Sequence, residues 1–507
     1  MRKQLVIITL LVAVVCLSRI PVLSRCLYTH DSVNFALGIE DYNPATHQPH
    51  PPGYPVYIGL AKVLHLFARD PNTDLLILSI VFSCAAVVLI YFLGKDLLGQ
   101  CAGLFAALFL ITSPLFWAFG AIPVSYTADV AASLAAAYLW HRVAGGAKGL
   151  LFPLTAVIAL AAGIRQSLLV FLLPAWAVAL VSTRSWRKAL KQVLALLGLC
   201  ICWAIPVLVS SGGLDNYLRV SRELYKSAVA PNLFSPKTPL YALTSALWGL
   251  GASVAGMLLF PKWMHGMESK RRRSILVFLS ICWGPSVLFS FTVFIANPGY
   301  ALVFLPCFIL MSALAVCGQR RMVRYPLAIG IMAVNSVLFL LTGPLAQEAT
   351  IAGYAVRPVR DFANFWALDF SRKGIADSKR VEDVLSTLKS HFAPENTLVV
   401  VAHGSGTEFY VSPRVASYYL IAFPVVEIRA EPQSVRLPPG INKIVWLIDI
   451  ENLQANGDGA LVESLVRGKG PAYSVFTGGQ MRYGKCIVSS APDRLGSPVR
   501  DQTRGPS

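Results

Sequence analysis

Residues 150 to 183 read LLFPLTAVIALAAGIRQSLLVFLLPAWAVALVST, an apolar stretch with one cation, Arg165, at its middle. As a single helix the stretch would measure roughly 50 Å at 1.5 Å per residue, whereas the hydrocarbon core of a bilayer is about 30 Å thick. Arg165 and Gln166 interrupt the run. We therefore predict a hairpin of two short membrane helices, 150–164 and 166–183, with Arg165 at the outer turn between them.

Similar apolar runs fill the first two thirds of the chain. Hydrophobic residues make up 55% and charged residues 14% of the 507 residues, which is too apolar for the surface of a soluble protein. Each run approaches the length that crosses a bilayer, so the sequence predicts a polytopic membrane protein of about eleven helices. The predicted spans are 4–24, 74–94, 100–120, 124–142, 150–164, 166–183, 190–210, 240–260, 274–295, 299–317 and 325–342.

Basic clusters between these runs give the predicted orientation. With the hairpin in place they all fall on one side of the membrane, and cytoplasmic loops are enriched in Lys and Arg. We therefore predict a cytoplasmic N-terminus and an uncleaved first span. The net charge of +18 reflects this topology and contact with anionic lipid headgroups, not nucleic-acid binding. The clusters are Arg2/Lys3, Lys95, Arg142/Lys148, Arg184/Arg187/Lys188/Lys191, Lys270 to Arg273, and Arg320/Arg321/Arg324.

Three stretches on the predicted outer side break the membrane pattern. The first is a long polar loop, 25–73, which contains the string His50-Pro51-Pro52-Gly53-Tyr54-Pro55. The second, 211–239, carries Arg219, Arg222 and Lys226 at helical spacing, so that the three charges share one face. The third is everything after residue 342.

This last region has the alternating pattern of a soluble protein. Residues 378–392 read as an amphipathic helix with Val381, Val384, Leu385 and Leu388 on one face. We expect short strands at 398–402, 425–429, 444–448 and 473–477, and helical pieces at 413–420 and 461–466. The predicted organisation is a membrane domain, 1–342, a small extracytoplasmic α/β domain, 343–490, and a disordered tail, 491–507.

A carboxylate and histidines on a long loop just outside a span suggest a site at the membrane surface. His30-Asp31-Ser32 opens the loop and the Pro-rich string follows. These elements resemble the glycosyltransferase-C superfamily, membrane enzymes that take a sugar from a polyprenyl-phosphate lipid. The Pro-rich string most resembles the branch related to protein O-mannosyltransferases. Asn297-Pro298-Gly299-Tyr300 and the outer C-terminal domain add to the resemblance.

The resemblance implies transfer of a hexose or pentose, with mannose favoured, to an extracytoplasmic hydroxyl of a glycan, lipid or protein acceptor. It identifies Asp31 as the carboxylate that takes the hydroxyl proton while the lipid phosphate leaves and the anomeric configuration inverts. Outer-side hydrogen-bond donors would hold the donor and its leaving phosphate. The predicted substrate-binding residues are His50, Tyr54, Arg165, Arg222, Lys226 and Tyr300.

The sequence departs from the superfamily in one respect. Members often have a second acid within three residues of the first, but here the next acids are Glu40 and Asp41. These two are the candidates for a second acid. No metal ligand is assigned, and a divalent metal cofactor is left open.

Other interpretations of the same residues are open from sequence alone. Asp31 could instead be the N-cap of a short helix, and His50 a fixed part of the Pro-rich turn. The Arg222 and Lys226 face could rest on lipid headgroups. A cation such as Arg165 between two spans requires pairing or solvation, and Asp129 near the start of the fourth predicted span follows the same logic.

Two further functional classes also remain at this stage. A transporter or lipid flippase would contain many spans and intramembrane charges, and a transferase-like scaffold would explain the missing second acid. The long first loop and the outer domain favour the enzyme. We expect a bacterial plasma membrane, because the chain ends without an endoplasmic-reticulum retrieval signal.

Overall fold

The computed structural model describes residues 2–27, 29–295, 297–342, 350–351, 354–355, 370–403, 413–429, 440–441, 443–447 and 474–476. The chain divides into two compact units. One comprises Met1–Leu23 and Asn34–Ala376, and the other comprises Ser24–Val33 and Asp377–Ser507. We call them the membrane unit and the C-terminal unit.

The membrane unit is built from apolar helices, and every predicted apolar run coincides with a helix or a pair of helices. The chain is an integral membrane protein. Within the described residues, five helices are individually long and apolar enough to cross a bilayer, and a sixth candidate is a bent pair. The number of membrane crossings therefore remains a prediction.

Helices α1 to α8 are Arg2–Arg19, His30–Glu40, Pro55–Ala68, Pro71–Leu98, Gln100–Thr112, Pro114–Phe119, Tyr126–Ala144 and Leu151–Ile164. Helices α9 to α16 are Gln166–Val181, Trp186–Ser210, Leu214–Leu224, Thr238–Leu250, Ser253–His265, Ser269–Thr292, Leu305–Cys317 and Arg321–Leu341.

The predicted span 240–260 is wrong as a single straight helix. The chain bends by 99° between α12 and α13. Gly251 has φ 51° and ψ −130°, a conformation that residues with a side chain rarely adopt. Asn335 of α16 accepts the Ala252 N–H at 2.7 Å, so a backbone group at the bend has a partner in an apolar environment.

The pair of helices predicted on either side of Arg165 is present, and the location of its turn on the outer side stays a prediction. Helix α8 ends at Ile164 and α9 begins at Gln166, with Arg165 extended at φ −152° and ψ 120°. Trp176 Nε1 donates to Thr155 Oγ1 at 2.9 Å, although these residues lie on opposite sides of Arg165 in the chain. The two helices therefore run antiparallel, and Arg165 is at the closed end of the hairpin.

The C-terminal unit contains helices and strands, as predicted, and its strands form a parallel sheet. Helix α17 is Arg372–His391 and α18 is Pro413–Tyr419. Strands β3 to β6 are Thr397–His403, Val425–Arg429, Lys443–Leu447 and Ser474–Phe476, all parallel, in the order β4-β3-β5-β6. The two-residue strands β1, Thr350–Ile351, and β2, Tyr354–Ala355, pair antiparallel in the membrane unit.

The predicted apolar face of α17 is largely present, since Val381, Leu385 and Leu388 are buried. The side chain of Val384, the predicted helix at 461–466 and the predicted tail lie outside the described residues.

Candidate functional site

Arg165 is the centre of a buried polar cluster in the membrane unit. Its Nε lies 2.9 Å from Asp129 Oδ2, and the side chains of Arg165 and Asp129 are 8% and 0% exposed. Its Nη2 donates to Ser125 Oγ at 3.1 Å. Asp129 is in the first turn of α7, where every residue from Tyr126 to Leu134 is buried. The expectation that a cation between two spans must be paired is therefore confirmed, and its partner is Asp129.

Three tyrosine rings surround the same guanidinium. The Arg165 Cζ lies 4.3 Å from the ring centroid of Tyr126, 5.1 Å from that of Tyr300 and 5.7 Å from that of Tyr54. These distances fall within the range of cation–π attraction. The rings come from α7, from the 3-10 turn Pro298–Val303 and from the residue before α3, so Arg165 joins three separate segments.

The Pro-rich string forms a compact turn that brings His50 to this cluster. Tyr54 is in the left-handed region at φ 46°, and its hydroxyl lies 3.2 Å from His50 Nε2. The Gly53 N–H donates to His50 O at 3.0 Å, and the Gly53 carbonyl accepts the Tyr42 hydroxyl at 2.8 Å. Burial and the nearby Tyr217 phenol raise the pKa of Tyr42, so its hydroxyl keeps the proton that it donates.

Tyr300 reaches Arg165 because Gly299 allows a close approach. The Asn297 side chain accepts the Gly299 N–H at 2.8 Å and so starts the turn. A Cβ at Gly299 would lie 2.7 Å from ring carbons of Tyr126, which is closer than real Cβ contacts allow. Glycine at this position therefore lets Tyr126 and Tyr300 pack around the same cation.

The cluster leaves one end of the Arg165 guanidinium available. Nε faces Asp129 and Nη2 binds Ser125, while Nη1 makes no hydrogen bond within the described residues. An arginine fork held on two sides by fixed partners is pre-organised to donate to an oxygen of a phosphate. Buried hydrogen-bond donors of this kind stabilise charge more strongly than donors in water.

Asp31 lies at the second position of α2, and the N-cap interpretation is wrong. The Thr29 carbonyl accepts the first helical bond, from Val33 N–H at 3.3 Å. Thr29 and Ser32 also form a reciprocal cap, in which each side-chain oxygen accepts the other residue's N–H at 3.1 Å. The capping role therefore belongs to Thr29, and Asp31 belongs by its packing to the C-terminal unit.

The two candidate second acids lie at the opposite end of α2. Glu40 is the last residue of the helix, Asp41 follows it, and both are exposed. The helical rise separates Glu40 from Asp31 by roughly 13 Å. Within the described residues, no three His, Cys, Asp or Glu side chains are grouped as metal ligands.

Arg222 and Lys226 line a separate surface cleft. The cleft has a volume of about 360 Å³ and is also lined by Asp215, Arg219 and Glu223. Its helix, α11, is linked to the Arg165 turn, since Gln166 Nε2 lies 3.5 Å from the Tyr217 hydroxyl. Arg219 pairs with Glu223 at 3.0 Å, both 62% exposed. The described structure thus gathers His50, Tyr54, Arg165 and Tyr300, and leaves Arg222 and Lys226 in their own cleft.

Two partners of Arg165, Ser125 and Tyr126, are absent from the sequence prediction. The sequence does contain a signal for Tyr126. Tyr126 and Asp129 are three residues apart at the start of a predicted span and therefore share a helix face.

Comparison with known proteins identifies the fold. Residues 49–209 match the family model described as dolichyl-phosphate-mannose-protein mannosyltransferase, a range that includes His50, Tyr54, Asp129 and Arg165. The crystal structure of ArnT from Cupriavidus metallidurans in the apo state superposes with a TM-score of 0.59 at 13% identity, covering 98% of this chain and 99% of that chain. The same protein bound to undecaprenyl phosphate gives a TM-score of 0.57, also at 13% identity, with 97% and 99% coverage.

The chain shares the fold of ArnT over almost its whole length. The family-model match and the shared fold agree with the resemblance inferred from the sequence. A further similarity, to the Archaeoglobus fulgidus oligosaccharyltransferase in its apo form, has a TM-score of 0.44 at 13% identity and covers 83% of this chain and 64% of the other. No curated protein sequence matches the chain.

Proposed function

We propose that this protein is a membrane glycosyltransferase that moves a sugar from a polyprenyl-phosphate donor to an acceptor hydroxyl. The observation that carries the proposal is the Arg165 cluster. It combines a buried cation with an available Nη1, three tyrosine rings, and His50 held through Tyr54. The match to a family named for a lipid-phosphate-sugar donor, and the similarity to a protein solved with undecaprenyl phosphate, support this class of donor.

The proposed chemistry is a single displacement. The acceptor oxygen attacks the anomeric carbon, the bond from that carbon to the phosphate oxygen breaks, and the configuration inverts. Asp31 takes the acceptor proton, and the polyprenyl phosphate leaves with the bonding electron pair. Arg165 and His50 are proposed to donate hydrogen bonds to the leaving phosphate, with Tyr54 and Tyr300 fixing the guanidinium.

The sugar is proposed to be a hexose or pentose, with mannose favoured because of the family model that matches residues 49–209. The acceptor hydroxyl is proposed to belong to a glycan, a lipid or a protein outside the cytoplasm. Arg222 and Lys226 are proposed to contact the donor phosphate or neighbouring headgroups, since their cleft is open and cationic.

A transfer assay tests the proposal. Purified protein in lipid nanodiscs would receive a polyprenyl-phosphate mannose labelled in the sugar, together with a mixture of extracytoplasmic acceptors. We expect the label to leave the lipid and free polyprenyl phosphate to appear. Arg165→Lys should lower the rate strongly, because lysine keeps the charge but not the fork. Arg142→Lys, at an exposed arginine that donates to the Tyr138 hydroxyl, is the matched control. Movement of intact labelled lipid between leaflets without phosphate release would instead support a flippase.

The proposed orientation places the N-terminus and the Lys270 to Arg273 cluster in the cytoplasm of a bacterial cell, with the region after 342 outside. A single cysteine introduced at position 405 should then react with an impermeant maleimide in intact cells, and one introduced at position 270 only after permeabilisation. The reverse pattern would contradict this orientation.

A further inference from the structure

The segment that joins the first helix to α2 packs in the C-terminal unit. Residues Ser24–Val33 cluster with Asp377–Ser507, although they lie far apart in the chain. Cys26 and Leu27 are buried, at 5% and 1% exposed. This short segment therefore forms part of the packed interior of the C-terminal unit.

Two residues of the C-terminal unit, Ser378 and Tyr419, form hydrogen bonds with this segment. The Arg25 N–H donates to Ser378 Oγ at 3.0 Å, and the Cys26 thiol donates to the Ser378 carbonyl at 3.3 Å. The Leu27 N–H donates to the Tyr419 hydroxyl at 2.9 Å. Three consecutive residues are thus fixed by one residue of α17 and the last residue of α18.

The Cys26 contact depends on a protonated thiol. Burial, followed by the Glu382 carboxylate, raises the pKa of Cys26 to about 12. The thiol therefore remains a hydrogen-bond donor throughout the physiological range.

The anchored segment leads directly into the helix that carries Asp31. Helix α2 begins at His30, and its first turn is fixed by the Thr29 and Ser32 cap. A rigid cap transmits the position of the preceding backbone to the first helical residues. The location of the Asp31 carboxylate is therefore set by Ser378 and Tyr419 as well as by α2 itself.

We propose that Tyr419 and Ser378 are positioning residues for Asp31, so that the C-terminal unit contributes to catalysis by holding the base. This inference rests on the proposed function. A general base must lie within hydrogen-bond reach of the proton that it takes, and a misplacement of about 1 Å can cost about 10²-fold in rate. Anchors that are remote from the reacting atoms then affect turnover without contacting a substrate.

Tyr419→Phe is the most selective test, because it removes one oxygen and keeps the ring. The buried Leu27 N–H then loses its acceptor, and the segment must shift to find another. We expect kcat to fall by about tenfold with the KM for the donor lipid unchanged. Ser417→Ala changes an exposed hydroxyl on the same helix and should leave both constants as in the wild type.

A double-variant cycle separates positioning from general destabilisation. In an Asp31→Asn background the base is absent, so adding Tyr419→Phe should lower kcat no further. If the two losses multiply, Tyr419 does not act through Asp31 and the inference is overturned. We expect Asp31→Asn to fold, and the rates are compared per folded molecule.

Ser378 supplies a second, independent pair of variants. Ser378→Ala removes the acceptor for the Arg25 N–H and should lower kcat, whereas Ser378→Thr keeps a hydroxyl and should restore it. If Tyr419→Phe does not fold, this pair decides the question. A wild-type protein that releases no lipid phosphate would refute the proposed function, whereas an active wild type with equally active Tyr419→Phe and Ser378→Ala variants would refute only this inference.

Discussion

The ion pair between Arg165 and Asp129 allows the structural and functional roles of Arg165 to be measured separately. Both side chains are almost completely buried, 2.9 Å apart. Asp129→Asn keeps the shape of the side chain but removes its charge, and leaves a buried guanidinium without a counter-charge. Breaking a buried pair in this way typically costs about 3–5 kcal/mol. We expect the free energy of unfolding of this variant to fall by about that amount.

The double variant Arg165→Met/Asp129→Asn removes both charges. Replacing a complete buried pair by uncharged residues of similar volume is often neutral or stabilising, so most of the lost stability should return. Binding of the donor lipid should be lost in the double variant, because the proposed Nη1 donor is gone. Stability and donor binding would then change in opposite directions between the single and the double variant.

The assays are thermal or denaturant unfolding of the purified protein and binding of polyprenyl phosphate to the folded protein. The exposed Arg219 and Glu223 pair supplies the control, because its 3.0 Å separation matches the buried pair while both of its side chains are 62% exposed. Breaking an exposed helical pair should cost only about 0.3–0.5 kcal/mol. A double variant at 165 and 129 that binds the lipid and turns over like the wild type would show that Arg165 serves the fold alone.

Three further predictions concern single positions. Asp31→Asn should fold and bind donor normally while turnover falls by about 10² or more, since a general base is lost. Thr29→Ala should instead cost about 1 kcal/mol of stability, as expected for a lost cap, and equal turnover losses in both variants would contradict this assignment. Gly299→Ala should lower turnover by pushing the Tyr126 ring off Arg165, whereas Gly330→Ala, where a Cβ meets nothing within 4 Å, should be silent in the same assay. Finally, maleimide should not react with Cys26 in the folded protein at neutral pH and should label it after unfolding. The reason is that the buried thiol, with a pKa of about 12, forms almost no thiolate. Labelling of Cys26 in the folded protein would show that the segment opens.

The membrane helices and the parallel strands were predictable because each is specified by its own local pattern. Strand β4 spans Val425–Arg429, the predicted range, and β3 and β5 differ from their predictions by one residue at each end. The bend at Gly251 was not predictable in this way. The apolar run continues through it, and the partner of the Ala252 N–H is Asn335, which belongs to a different helix.

The candidate site also has some features that the sequence predicts and others that it does not. His50, Tyr54, Arg165 and Tyr300 were identified from sequence, and the structure brings them together. The sequence left the cap of α2 open, because Thr29, Asp31 and Ser32 are all good capping residues. Only the backbone shows that the Thr29 carbonyl accepts the first helical bond. Choosing among adjacent candidates requires the hydrogen-bond pattern, which sequence composition does not contain.

Stability alone does not explain a buried arginine at the turn between α8 and α9. A tight turn between two short helices requires an extended residue, and Arg165 supplies this through its backbone, which other residues could also do. A buried ion pair is on average no more stabilising than an apolar pair of the same volume. The charge is therefore better explained by what the guanidinium can bind. Its Nε forms the ion pair with Asp129 and its Nη2 donates to Ser125, whereas Nη1 has neither kind of partner in the described part of the chain. A pre-organised donor of this kind suits an anionic oxygen that arrives with a ligand, which is the role that the leaving phosphate would fill.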